Sequence, residues 1–247
     1  MDTNRPSPMA LRSNSKRLEI AGMLVDNFDE VPTAEMADSE PPTSIDSGRF
    51  VYDIIDAPDA YWGPSVWRMG SDHPDFMLQT SDIWSGEWSP DPQTSAYLGS
   101  DLIMRDKTFA DAVVTAAFLV RRVNWFEDSD NDGIGLVFRF QDANNYYRLL
   151  SVIEGGPFTR LEKWVDGELT VLGFSDNPDH AYINQTGVLA NDLNLLRVDK
   201  AGSRIRAYVN GEEVFDVTDS TFSSGRVGVS TYAQCWTWLD YITVEEN

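Results

Sequence analysis

From about residue 96 onward, apolar and polar positions fall into short runs separated by turn residues at roughly ten-residue spacing. VVTAAFLV (113–120) and GIGLVFRF (133–140) alternate or are wholly apolar. NYYRLLSV (145–152), FTRLEKWV (158–165), ELTVLGF (168–174), NLLRVD (194–199), RIRAYVN (204–210), EEVFDV (212–217), GRVGVST (225–231) and LDYITVEE (239–246) follow. A period of two sends successive side chains to opposite faces of a sheet, and helical periodicity is almost absent. Asp166-Gly167 and Asn210-Gly211 are two-residue pairs that accept positive φ and match strand twist, so each predicts a hairpin. The pattern predicts an all-β protein with antiparallel strands in a two-sheet sandwich.

The earlier part of the chain reads differently. Residues 1–23 are polar and rich in Ser and Arg, and are expected to form an N-terminal arm. Residues 24–247 contain no internal repeat and no plausible linker, so they are expected to be one domain. The stretch EVPTAEMADSEPPTSIDSG (30–48) is acidic and Pro-rich and reads as a surface loop. Pro58, Pro64, Pro74, Pro90 and Pro92 interrupt the runs between 56 and 95, where short strands joined by long loops are expected.

Charge narrows the function classes. The 247 residues carry 40 acidic and 19 basic side chains, a formal charge of −21. Such a body repels a phosphate backbone and an anionic lipid surface, so nucleic acid and membrane partners are not expected. No apolar run approaches the ~20 residues of a membrane-spanning helix. The N-terminus lacks the continuous apolar core of a signal peptide. The arm is the exception to the acidity: Arg5, Arg12, Lys16 and Arg17 outnumber Asp2 and Glu19. A basic segment on an acidic body suits arm exchange between copies, so self-association through residues 1–22 is an expectation. A single cysteine, Cys235, leaves no internal disulfide.

Asp128, Asp130 and Asp132 alternate and Gly133 follows. Carboxylates two residues apart can converge on one ion, and hard oxygen ligands suit Ca²⁺. The spacing matches the first half of an EF-hand loop, but Arg139 stands where the bidentate Glu would be, and the flanks read as strands. The alternative is a solvated acidic loop. Strand reversals bring Glu154, Asp176 and Asp179 to the same end as the three aspartates, and send Asp142 and Asp166 to the other end.

The stretch DSDNDGIGLVFRFQDANNYYRLL (128–150) resembles the concanavalin A-like jelly rolls, especially the laminin-G-like group and the lectin-like C-terminal domain of thrombospondins. FMLQTS (76–81), RIRAYVNGEEVFDVTD (204–219) and GRVGVSTYAQCWTWLDYITV (225–244) agree with it. The resemblance covers about residues 24–246 and implies an antiparallel two-sheet jelly-roll sandwich. It also implies a second calcium site in which Asp240 joins Asp26 or Asp29; an Asp that caps a turn is the alternative. The scaffold hosts lectins, glycosidases, adhesion modules and virion proteins, so it leaves the activity open.

A sugar-binding face needs flat aromatic rings among polar groups. Trp125, Tyr147, Trp164 and Trp236 are the candidates, with core packing as the alternative for each. Trp62, Trp67, Trp84 and Trp88 lie among the prolines and are expected to pin those loops. Arg139, Arg148 and Arg160 fall on adjacent predicted strands, where they would meet an acidic glycan or the protein's own carboxylates. The chain has no Glu-x-Asp-x-Glu strand that would set two carboxylates ~5 Å apart, no nucleophilic serine elbow, and no His beside Cys235. His180, in a loop, is either an aid to the acidic pole or a solvated surface residue. The resulting expectation is a non-catalytic, calcium-binding module for carbohydrate or a glycan-bearing surface. The alternatives are a structural subunit of a virion, filament or surface assembly, and a sugar-active hydrolase. The fold favours an extracellular, virion or cell-surface setting.

Overall fold

The computed structural model describes residues 23–28, 43–58, 64–69, 77–79, 91–120, 133–153, 157–181, 193–233 and 237–247. The 1–22 arm, the 128–132 aspartates, Glu154, Asp29, Trp125 and Trp236 lie outside them. Within the described residues the strands are β1 (Met23–Asp26), β2 (Ser44–Asp46), β3 (Val51–Asp56), β4 (Trp67–Met69), β5 (Met77–Gln79), β6 (Ser100–Met104), β7 (Ala112–Val120) and β8 (Gly133–Asp142). They continue with β9 (Asn145–Val152), β10 (Phe158–Val165), β11 (Glu168–Ser175), β12 (Asn194–Ala201), β13 (Arg204–Val209), β14 (Glu212–Thr218), β15 (Arg226–Tyr232) and β16 (Thr237–Glu246).

Two antiparallel sheets form the sandwich. Sheet A runs β14-β13-β12-β7-β16-β5-β4, and β1 pairs with β16 beyond the short β5. Sheet B runs β11-β10-β9-β8-β15-β6-β3-β2. The fold class expected from alternation is the one observed. The two Gly-containing hairpins form as expected, with Asp166 and Asn210 at φ of 52° and 51° and their glycines at 82° and 92°.

Alternation decides which side chains fill the space between the sheets. Ile134, Leu136 and Phe138 of β8, Tyr147 and Leu149 of β9, and Leu161 of β10 point inward from sheet B. Val114, Ala116 and Phe118 of β7, Leu196 and Val198 of β12, and Ile242 and Val244 of β16 meet them from sheet A. Burying each large aliphatic or aromatic side chain contributes about 1.5–3 kcal/mol.

One sequence reading fails at a bulge. The pairing of β8 with β9 is in register to Phe138 and then shifts, and Arg139 has a φ of 49°. Its guanidinium is thereby turned away from Arg148 and Arg160. It reaches the Ala110 and Phe222 carbonyls and the Asp111 carboxylate (3.0 Å) instead. Periodicity alone places all three arginines on one face, because an extra residue in a strand leaves no mark in an alternating pattern.

Candidate functional site

The strand ends define a loop pole. Gly133 at the start of β8 pairs with Val152 at the end of β9 and with Tyr232 at the end of β15. Phe158 opens β10 opposite Val152, and Thr159 faces Ser175 at the end of β11. In sheet A, Val120 at the end of β7 pairs with Thr237, which pairs with Gln79. The strands that flank 121–132 and 154–156 therefore end together, and the 176–180 turn lies there too. Asp142 and Asp166 occupy the hairpins at the far end.

At the loop pole, Asp176 and Asp179 are exposed. The Ser175 hydroxyl and His180 Nδ1 are 2.8 Å apart, and the Thr159 hydroxyl donates to the His180 carbonyl at 2.6 Å. These contacts tie the short 3-10 turn Pro178–His180 to β10 and β11. Among the described residues no group of three His, Cys, Asp or Glu side chains converges in a metal-binding arrangement. Asp26 is a buried carboxylate already served by three donors: the Phe28 amide at 3.1 Å, the Ser47 hydroxyl at 2.6 Å and the Tyr52 hydroxyl at 2.8 Å. Burial raises its pKa, which those hydrogen bonds oppose. Asp240 is buried at the bulge where β16 shifts register against β7, and its charge adds to the burial that pushes Tyr241 up to about 12.

The outer face of sheet B is filled by the chain itself. Arg148 of β9 and Arg160 and Glu162 of β10 are all buried there. Glu162 accepts from Arg148 Nε and Trp164 Nε1, each at 2.9 Å, and from Arg160 Nε. Arg148 Nη1 donates to the Ser230 hydroxyl at 3.2 Å, and both guanidinium groups also reach segment 91–99. Arg148 reaches the Ala96 and Tyr97 carbonyls at 3.2 and 3.0 Å, and Arg160 reaches the Pro92 carbonyl at 2.7 Å. Arg160 also lies 4.7 Å from the Tyr97 ring centroid. Gly135 makes room for this layer, since a Cβ there would come within 3.3 Å of Arg148 Cδ. Asp101 borders the cluster. Burial pushes its pKa up to about 6, against the pull of Arg148 and a hydrogen bond from Ser230.

Two of the expected sugar-binding aromatics fall among the described residues, and packing uses both. Tyr147 is fully buried between the sheets, stacked on Phe138 at 5.2 Å, with its hydroxyl donating to Asp219. Trp164 stacks on Tyr146 at 5.9 Å beneath Glu162. Neither ring offers a face to a ligand. Of the three arginines, Arg148 and Arg160 meet Glu162 and Arg139 meets Asp111, so their partners are the protein's own carboxylates.

The outer face of sheet A is different. Pairing aligns Tyr208 of β13, Arg197 of β12, Thr115 of β7 and Thr243 of β16 in one row across four strands. All four are half-buried. At the ~4.8 Å strand spacing the row is about 14 Å long. The Arg197 guanidinium carbon lies 5.0 Å from the Tyr208 ring centroid, and the Tyr208 hydroxyl donates to Glu213 at 3.0 Å. Beside this row Leu195 is half-buried and Ala117 is fully buried. No sequence pattern marks the row, because its members are scattered over 129 positions, from Thr115 to Thr243, and only strand order brings them together. The one local signal is the alternating Arg and Tyr of RIRAYVN, which leaves Tyr208 on a polar face.

No protein-family model and no curated protein matches this chain. Solved structures do. A GH43 protein, BlXynB of Bacillus licheniformis, is similar over 93% of this chain at 12% identity and a TM-score of 0.52, and this chain spans 40% of that one. The carbohydrate binding module CBM66 of Bacillus subtilis is similar over 78% of this chain and 97% of its own, at 17% identity and a TM-score of 0.45. The galectin LEC-6 of Caenorhabditis elegans covers 55% of this chain and 83% of its own, at 14% identity and a TM-score of 0.39. At such identities the likeness concerns the fold. This chain is an antiparallel two-sheet jelly-roll sandwich.

Proposed function

We propose that the protein is a non-catalytic carbohydrate-binding sandwich that takes a glycan along the outer face of sheet A. The observation that carries this reading is the Tyr208–Arg197–Thr115–Thr243 row, an aromatic ring, a cation and two hydroxyls aligned on one rigid sheet face. Flat apolar surface beside fixed donors and acceptors is what a sugar ring with C–H and hydroxyl faces requires. The corresponding face of sheet B is closed by segment 91–99, whereas the row on sheet A keeps partial exposure. A glycan array probed with the full chain tests the proposal. Binding that Tyr208→Ala weakens supports it, and no binding to any glycan overturns it.

Calcium belongs to the same reading. Asp128, Asp130, Asp132 and Glu154 would hold one ion at the loop pole, and the shared end of their flanking strands supports this. Asp240 with Asp29 would hold a second. Such ions would order loops that adjoin the sheet, and binding only to the folded state raises stability by about 2.7 kcal/mol at a hundredfold excess over Kd. The expected result is a melting temperature that rises with Ca²⁺, falls with chelator, and ceases to respond to Ca²⁺ in Asp130→Asn. Equal melting with Ca²⁺ and with chelator overturns the calcium proposal and leaves the glycan platform standing.

A further inference from the structure

Arg197 differs from the other arginines on its face of sheet A. On the same face of sheet A, Arg206 is paired with Asp199 and Arg204 with Asp216 at 2.5 Å. Elsewhere Arg105 and Arg226 share Asp53, and Lys163 takes Asp219. Among the described residues no carboxylate pairs with Arg197. Its neighbour is the Tyr208 ring, and its Nε is buried without a hydrogen-bond partner. Two carboxylates of this region are engaged elsewhere: Asp199, two residues along β12, by Arg206, and Glu213 by the Tyr208 hydroxyl. A buried N–H without an acceptor is costly, and this one belongs to a half-buried side chain in the middle of the sheet.

We propose that Arg197 recognises a carboxylate on the ligand, so that the glycan taken by sheet A carries uronate residues. This rests on the carbohydrate reading of the same surface. A planar carboxylate accepts two parallel N–H bonds from a guanidinium, a geometry that a neutral sugar hydroxyl does not reproduce. The Tyr208 ring holds the guanidinium in place, and Thr115 and Thr243 offer hydroxyls on the next two strands for the neighbouring sugar. The body's charge of −21 repels a dense polyanion. The ligand class is therefore a largely neutral glycan bearing isolated uronates.

The test uses neutral oligosaccharides that each carry one uronate, paired with the same compounds after reduction of the carboxyl to a primary alcohol, titrated calorimetrically into the full chain. The acidic member of a bound pair is expected to bind about tenfold or more tightly than its reduced counterpart. Arg197→Gln is expected to bring that ratio to about one, with the reduced member as its internal reference, and Arg197→Lys to keep part of the preference. If Arg197→Gln fails to fold, Arg197→Lys supplies the comparison through its reduced ratio. Equal binding of acidic and reduced members, or an intact ratio in the folded Arg197 variants, overturns the role of Arg197 and leaves the carbohydrate reading in place. Failure of both members of every pair, together with a blank glycan array, overturns the carbohydrate reading itself.

Discussion

Removing the charge of Glu162 should loosen the protein more than any other single polar change in sheet B. The carboxylate is fully buried and takes Arg148 and Trp164 on Oε2 and Arg160 on Oε1. In Glu162→Gln one of those oxygens becomes an NH2 group facing a donor, and two buried guanidinium groups lose their counter-charge. Breaking a buried pair by removing one partner costs about 3–5 kcal/mol, because the charge left behind stays desolvated. Domains have a total stability of only about 5–15 kcal/mol. At about 2–4 °C per kcal/mol for a chain of this size, the melting temperature should fall by roughly 6–20 °C. The arginines also hold segment 91–99 by its carbonyls, so Tyr97 should become open to chymotrypsin, which cuts after aromatic residues. Calorimetry reads the first effect and mass spectrometry of the digest reads the second. The triple change Arg148→Met, Arg160→Met, Glu162→Leu separates them. It should recover most of the melting temperature, as apolar replacement of a buried ionic triad does, yet leave Tyr97 exposed to cleavage. A Glu162→Gln protein that melts within 2 °C of the parent would refute the buried-charge argument.

Asp101 predicts a pH dependence of opposite sign to that of a salt-bridged carboxylate. Its folded pKa of about 6 lies above the ordinary value of 3.8, so the folded state binds the proton more tightly than the unfolded state. Its contribution is favourable below pH about 4 and is lost as pH rises through about 6; Asp101→Asn should remove this decline, seen as a gap to the parent in urea midpoint that changes between pH 4.5 and 7. A gap that is the same at both pH values would count against it. Gly228→Ala should fail to fold or lose several kcal/mol, because the added Cβ would stand 2.2 Å from the Leu102 carbonyl oxygen, in backbone that β6 cannot withdraw. Circular dichroism and expression in the soluble fraction check it, and a parent-like melt would contradict the packing described for β15.

Much of the fold was legible because the strands from β7 onward obey simple alternation. The runs 145–152 and 158–165 coincide with β9 and β10. Their turns carry residues chosen for positive φ, a local cause with a local signature. The short strands β1 to β5 were harder to read. Val25 of β1 pairs with the distant Thr243, and the three or four residues of β1, β2, β4 and β5 are too few for a period to show. The binding row was illegible for a related reason. Arg197 and Thr115 become neighbours only through the β7–β12 pairing, a non-local choice made by the core face of each strand. Arg148, Arg160 and Glu162 could be placed on one face from their spacing. That 91–99 would cover them could not, since nothing in DPQTSAYLG marks its carbonyls as the acceptors.

The margins of the two sheets bear on how this protein meets copies of itself. At one margin β11 and β14 approach so closely that a Cβ on Gly173 would lie 2.6 Å from the Phe215 ring. Side-chain contact closes the gap between the sheets there, while β11 and β14 each pair along one edge only. At the other, the outermost strands β1, β2 and β4 have four, three and three residues. An exposed strand templates polymerisation only when it is long and flat enough to offer a continuous row of amide and carbonyl groups. At this margin no described strand offers such a row. Copies of this chain that meet along it must therefore be joined by side chains across surfaces, and such joints come apart with salt or pH, unlike the joints of a fibril sharing backbone hydrogen bonds.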